Sequence, residues 1–332
     1  MLERVKRKWY YSVIVSLLVL LIVIPFDWFP GHYTTIMVLI GINTMVTVGL
    51  CLLLGYTGQV SLGHAAFYGI GAYFSAVLSK TYHLNPWLAM LIAAIATGAF
   101  AYVIGYPIFR LKGNYLAVAT LALGVIVYIL FGKLAPGGPD GIAGIPNLSI
   151  GGFAFDTWFK RYFLVWGFCL VVLLISQNIV NSRSGRALRA IHGSEAAAES
   201  IGINVDRFKV KIFVLSCVYA SLAGSLLAHS MAHISPSSFD PMVSVIVVVM
   251  AVMGGLASIW GAVFGAGIVV MLKHELLLGF GELEIIIYGL ILMLVMIFMP
   301  EGLFVWLKSS YVKLKELYIR WRLGQIRRGA ET

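Results

Sequence analysis

Long apolar runs separated by short polar ones dominate the chain, each run close to the roughly 20 residues of helix that cross a hydrocarbon core of about 30 Å. The runs lie at 10–29, 34–54, 61–79, 86–109, 114–132, 161–180, 211–232, 241–256, 257–275 and 284–300. They predict about ten transmembrane helices. The runs are apolar throughout rather than at every second position. Lipid offers no hydrogen bonds to exposed backbone, so such segments span as helices and not as the strands of a barrel. The expected architecture is all-α: one polytopic membrane domain over residues 1–332, with both ends on the same side.

The basic residues test this layout. Four stand before the first run, two are Arg110 and Lys112, six lie between Arg183 and Lys211, and seven between Lys308 and Arg328. Together these are 19 of the 24 Lys and Arg, all in segments that the alternation puts on one side. By the positive-inside rule that side is the cytoplasm. The start, with Arg4, Lys6, Arg7 and Lys8 before an apolar run, has the outline of a signal peptide. Phe26-Asp27-Trp28-Phe29-Pro30 follows in place of a small-residue cleavage site, so an uncleaved first span is expected.

Two connections are long. The outer one, 133–160, carries Pro136-Gly137-Gly138-Pro139-Asp140-Gly141, a cluster of turn residues. The inner one, 181–210, has helix formers on either side of Gly193, in Arg186-Ala187-Leu188-Arg189-Ala190 and Glu195-Ala196-Ala197-Ala198-Glu199, and Gly202 suits a helix end. Two short amphipathic helices are expected there. The basic tail 301–332 mixes Trp306, Tyr311, Tyr318 and Trp321 with cations, as an interfacial helix does. Spans two to five enter from outside and spans seven to ten from inside, the polarity of an inverted repeat.

Composition sharpens the picture. The chain is 60% hydrophobic and 11% charged, with a mean hydropathy of +0.93, against about 25% charged in a soluble domain. Its net charge of +10 follows the membrane topology and implies no nucleic acid. Cys51, Cys169 and Cys217 lie in apolar stretches without metal-ligand or disulfide spacing, and no metal site is expected. There is no Gly-x-x-x-x-Gly-Lys phosphate loop, no His-Glu-x-x-His helix and no Gly-x-Ser-x-Gly elbow. The chain is expected to be no enzyme and to take its energy from elsewhere.

Polar chemistry concentrates in Gly55-Tyr56-Thr57-Gly58-Gln59-Val60-Ser61-Leu62-Gly63-His64, running on through Phe67 to Gly71. Unwound backbone at membrane depth is tolerated only against protein or a wet cavity. Tyr56, Thr57, Gln59, Ser61, His64 and Phe67 are therefore candidate solute-path residues. Close packing through small residues, with Gln59 and Ser61 in a cytoplasmic turn, is the competing reading. A second such stretch, Met253-Gly254-Gly255-Leu256-Ala257-Ser258-Ile259-Trp260-Gly261, reads first as close packing.

Residues 55–67 resemble a signature of the branched-chain amino acid permease subunits of bacterial ABC importers. So do Arg183-Ser184-Gly185-Arg186 with Glu195-Ala196-Ala197-Ala198 and Gly202-Ile203-Asn204, Gly138–Pro146, and Gly254-Gly255 with Trp260-Gly261. The resemblance runs from about 34 to 305. It implies two ATP-binding subunits that carry the ATP and magnesium, a second permease of the same family, and an external or periplasmic solute-binding protein. Arg186, Arg189, Glu195, Ala196, Ala197 and Gly202 would form the ATPase-coupling loop. Here the Glu stands one position before its place in the general importer motif. The implied solutes are leucine, isoleucine and valine. The same architecture also serves urea, short-chain amides or another amino acid. A stand-alone ion-coupled carrier is the remaining class, and the scarcity of carboxylates within the spans weighs against it.

Overall fold

The computed structural model describes residues 31–111, 113–150, 153–277 and 283–298. The expected first span, 10–29, and the tail 301–332 lie outside them. Eleven helices are present among the described residues: α1 Gly31–Leu50, α2 His64–Lys80, α3 Pro86–Ile108, α4 Asn114–Leu134, α5 Trp158–Asn181, α6 Arg183–Gly193, α7 Glu195–Ser200, α8 Val205–Met231, α9 Pro241–Gly254, α10 Gly261–Met271 and α11 Leu283–Phe298. A π-turn, Cys51–Gly55, extends α1, and another, Leu272–Leu277, extends α10. Five helices are long and apolar enough to cross a membrane by themselves: α1 with its extension, α3, α4, α5 and α8. α9, an apolar helix of 14 residues, is too short to do so.

α8 is the centre of the bundle, and hydrogen bonds fix how its neighbours run. His64 Nε2 meets Ser216 Oγ at 2.6 Å, Ser225 Oγ donates to Gly71 O at 3.0 Å, and Ser75 Oγ meets His229 Nε2 at 2.7 Å. The sequence offsets of these pairs are 152, 154 and 154, so α2 and α8 run parallel. Small residues bring the two backbones together: a Cβ on Gly71 would strike Ser221, and one on Gly224 would strike the Tyr68 carbonyl. α3 runs the other way. Thr97 bonds Ser221 while Gly105, further along α3, faces Phe213 and Val210, earlier in α8. α9 and α10 are antiparallel and in backbone contact at Gly254 with Gly261 and at Gly265 with Met250. On their outward sides α3 and α4 expose Leu91, Ile95, Val103, Val118 and Ile126, a lipid-facing surface.

The connections sort to two faces. On one, β1 Ile142–Ala143 pairs antiparallel with β4 His233–Ile234, and β2 Ser149–Ile150 with β3 Phe153–Ala154. Here the 133–157 loop is held down by Lys80, which donates to Ala143 O, by Trp87 to Ser149 O, and by Arg161, which donates to Ser230 O at 2.6 Å. His229 adds a 2.7 Å contact to Pro146 O. The opposite face carries α6 and α7.

The largest departure from expectation is the start of α8, at Val205 rather than 211. Asn204 caps it by accepting from the Arg207 amide, and Lys209, assigned to the polar loop by its charge, is buried at 3% exposure beside Glu195. The 181–210 connection therefore ends at Asn204. α10 begins at Gly261 rather than 257, because Ser258 turns the chain by accepting from the Gly261 amide.

Candidate coupling and solute-path site

The first Gly-rich stretch is unwound from Gly58 to Gly63. α8 measures how deep it reaches. His64, the first residue of α2, pairs with Ser216, eleven residues into α8 and so about 16 Å from the start of that helix. The segment climbs beside α8 within the bundle. Gln59, bonded to Glu195, starts this course at the α6–α7 face, and Ser61 is buried further along it. Its backbone groups find partners on several elements: Gly58 and Gln59 amides donate to Leu54 and Leu53 carbonyls, Leu62 to Thr120 Oγ1 on α4, and Ala65 to Ser244 Oγ on α9. That satisfaction is what allows irregular backbone at this depth.

The connection 232–240, with strand β4 and a 3-10 turn at Pro236–Phe239, enters from the opposite face. His229 pairs with Ser75, yet ten residues on Phe239 packs on Tyr68 and against Gly69. Gly69 lies eleven residues, about 16 Å, short of the α2 end at Lys80. α9 therefore starts inside the bundle, with Asp240 accepting from the Met242 amide, and this explains its shortness. Ser235-Pro236 followed by Asp240-Pro241, a break and a cap with proline, was the available signal. The units α1–break–α2 and α8–break–α9 have opposite polarity, the arrangement an inverted repeat requires.

The candidate path residues fall into two groups. Thr57 Oγ1 donates to Leu53 O, Phe67 packs edge-on against Phe213, and both are buried within the chain. Ser61 and His64 are buried too, and Ser61 Oγ and His64 Nδ1 lack a hydrogen-bond partner among the described residues. Tyr56 and Gln59 make long-range links. Tyr56 OH donates to Ala257 O at 2.7 Å in the turn between α9 and α10, and a Cβ on Gly55 would run into the Leu256 carbonyl. The two Gly-rich stretches of the sequence thus meet. Gln59 Nε2 donates to Glu195 Oε1 at 3.1 Å, and Gly58, with φ +71°, faces His192.

The candidate coupling-loop residues sit together on one face. Ser182 caps α6 and Ser194 caps α7, each accepting from a backbone amide. Ala198 is buried with Ile191 and Val205 and anchors α7. Gly202 follows the end of α7 in the left-handed region at φ +84°. Ala196 and Ala197 point outward and Ile201 is 72% exposed, an apolar ridge standing off the bundle. Arg186 is exposed, and Arg189 donates to Val180 O at the end of α5. Lys209, absent from the candidates, completes the site: its Nζ lies 2.6 Å from Glu195 Oε1.

Residues 32–299 match the family described as the branched-chain amino acid transport system / permease component. The LivM permease protein of the high-affinity branched-chain amino acid transport system of Escherichia coli K12 is 33% identical, over 90% of this chain and 75% of its own length. BraD, a permease protein of the high-affinity branched-chain amino acid transport system of Pseudomonas aeruginosa, is 27% identical over 78% of this chain and 90% of its own. Among solved structures, PsaBC from Streptococcus pneumoniae in complex with Fab aligns at 15% identity and a TM-score of 0.45, covering 87% of this chain and 96% of that one.

Proposed function

The chain belongs to the permease components of branched-chain amino acid ABC importers, and from that premise we propose that its α6–α7 face receives an ATP-binding subunit whose motion opens a path bordered by the 56–67 segment. It is a multi-pass inner-membrane protein that works with ATP-binding and other transporter components, and it is not itself the ATPase. The finer composition we propose is two ATP-binding subunits, a second permease of the same family with the path between the two, and an external or periplasmic solute-binding protein. Both termini are placed in the cytoplasm, on the strength of the basic residues. ATP and magnesium belong to the partner subunits, and the solutes are leucine, isoleucine and valine.

The observation that carries this reading is the position of α7. It offers an outward apolar ridge of Ala196, Ala197 and Ile201 to a partner, while Glu195 on its inward side is bonded to the unwound segment. A helix displaced from outside would pull on the break inside. A path with few fixed charges would suit a zwitterion with an aliphatic side chain, since a strong fixed charge would hold such a solute rather than release it.

The test is reconstitution of the full complex in vesicles. Leucine uptake should require ATP and survive collapse of ion gradients, with isoleucine and valine competing and urea and acetamide failing to compete. Uptake driven by an ion gradient without ATP-binding subunits would refute the proposal. Competition by urea alone would keep the architecture and change the solute.

A further inference from the structure

Glu195 stands at the first position of α7, where an exposed carboxylate would be free to meet a docked partner. Its side chain, 38% exposed, instead reaches back to the protein through one carboxylate oxygen. Oε1 accepts from Lys209 Nζ at 2.6 Å and from Gln59 Nε2 at 3.1 Å. Three elements meet at that one oxygen: the short helix α7, the first turns of α8, and the unwound segment that leads to α2.

The two donors differ in what they need. The Lys209 side chain is only 4% exposed, and an ammonium so enclosed is held by a carboxylate or is badly placed. Gln59 is nearly as buried, at 8%, and its amide also reaches its own neighbour, Thr57 O, at 3.4 Å. Glu195 thus satisfies a buried charge and a buried amide at once. From Gln59 the connection continues through three residues of chain to Tyr56, whose hydroxyl holds Ala257 O between α9 and α10. Polar contacts, joined by the chain from Gln59 to Tyr56, thus connect α7 to both Gly-rich stretches, 55–63 and 254–261.

We propose that Glu195 is a positioning residue that clamps α7 to Lys209 of α8 and to Gln59 of the unwound segment, so that displacement of α7 moves both Gly-rich breaks together. Building on the function proposed above, it gives Glu195 a role within the permease beside any contact it makes with the ATPase. The position of Glu195, one residue earlier than the general motif places its acid, fits this role: Ala196 and Ala197 are exposed, and Glu195 reaches back to Lys209.

The measurement is leucine imported per ATP hydrolysed, in vesicles holding the full complex. Glu195→Ala and Lys209→Met are each expected to keep ATP hydrolysis and subunit assembly while that ratio falls roughly three- to thirtyfold, the range of coupling changes seen for connecting residues. Glu195→Gln, which keeps an acceptor for Gln59, should fall between them and wild type. The exchange Glu195→Lys with Lys209→Glu should recover part of the loss. Wild-type ratios in both single variants would overturn the clamp. So would loss of the ATP-binding subunits from Glu195→Ala while Lys209→Met transports normally, because the carboxylate would then face the partner. If the wild-type complex imports no leucine with ATP, the proposed function fails instead. The clamp is then judged by a double-mutant cycle on the thermal midpoint of the purified permease: coupling between positions 195 and 209 supports it, and additivity overturns it.

Discussion

Gly224 and Ser225 are neighbours on α8, and they show how differently two residues contribute to one helix contact. Ser225 donates a hydrogen bond to Gly71 O, whereas a side chain on Gly224 would have to pass through the Tyr68 carbonyl. Hydrogen bonds between membrane helices average about 0.6 kcal/mol, because the separated helices also find partners. Overpacking costs typically 1–3 kcal/mol, and here the obstacle is backbone and cannot swing aside. Gly224→Leu is therefore expected to lower the thermal midpoint in detergent well beyond Ser225→Ala. Equal midpoints for the two would mean that α2 and α8 do not touch through their backbones.

The unwound 58–63 segment makes its prediction at the scale of an element. Ser61 and Gln59 are buried, while Val60 between them is 39% exposed. In a background without Cys51, Cys169 and Cys217, Val60→Cys should react with a small water-soluble thiol reagent in every nucleotide state. Thr57→Cys, Gln59→Cys and Ser61→Cys should react only in states that part α2 from α8. The unpartnered Ser61 Oγ and His64 Nδ1 make such a parting less costly, since wetting them gains hydrogen bonds that the closed bundle withholds. Three unreactive positions in all states would leave the segment as packing alone. α7 has its own test. Ala197 faces outward, so Ala197→Arg should leave insertion and folding intact and remove ATP-dependent leucine uptake; normal uptake would mean that α7 receives no partner.

At the scale of the molecule, the hydrogen-bond register of α2, α3 and α8 places the 133–157 loop on one face and α6–α7 on the other. A binding protein and an ATPase would therefore approach from opposite ends. If the second permease is the family member proposed above, an active complex purified with this chain as its sole permease would refute the hetero-pair.

Much of this arrangement was legible beforehand, and for an identifiable reason. Lipid imposes hydrophobicity on whole stretches of sequence, so the helices α3 at Pro86–Ile108, α4 at Asn114–Leu134 and α5 at Trp158–Asn181 fall within a few residues of their apolar runs. The α6–α7 loop could be read from its helix formers and Gly202, and the structure adds Ser182 and Ser194 as caps. These signals are local, and the sequence by itself determines what is local: apolar helices, their order, and the basic segments that set their alternation. Tertiary structure decided what depends on partners far away in the chain. Lys209 looked like loop because its charge is costly in a span, and only Glu195 folded against it lets α8 begin at Val205. The depth of the break before His64 is set by Ser216, 152 residues on, and that of the break before Pro241 by Tyr68 and Gly69. Glycine and proline mark where a helix can stop, but how deep in the bundle it stops depends on which distant groups satisfy the freed backbone.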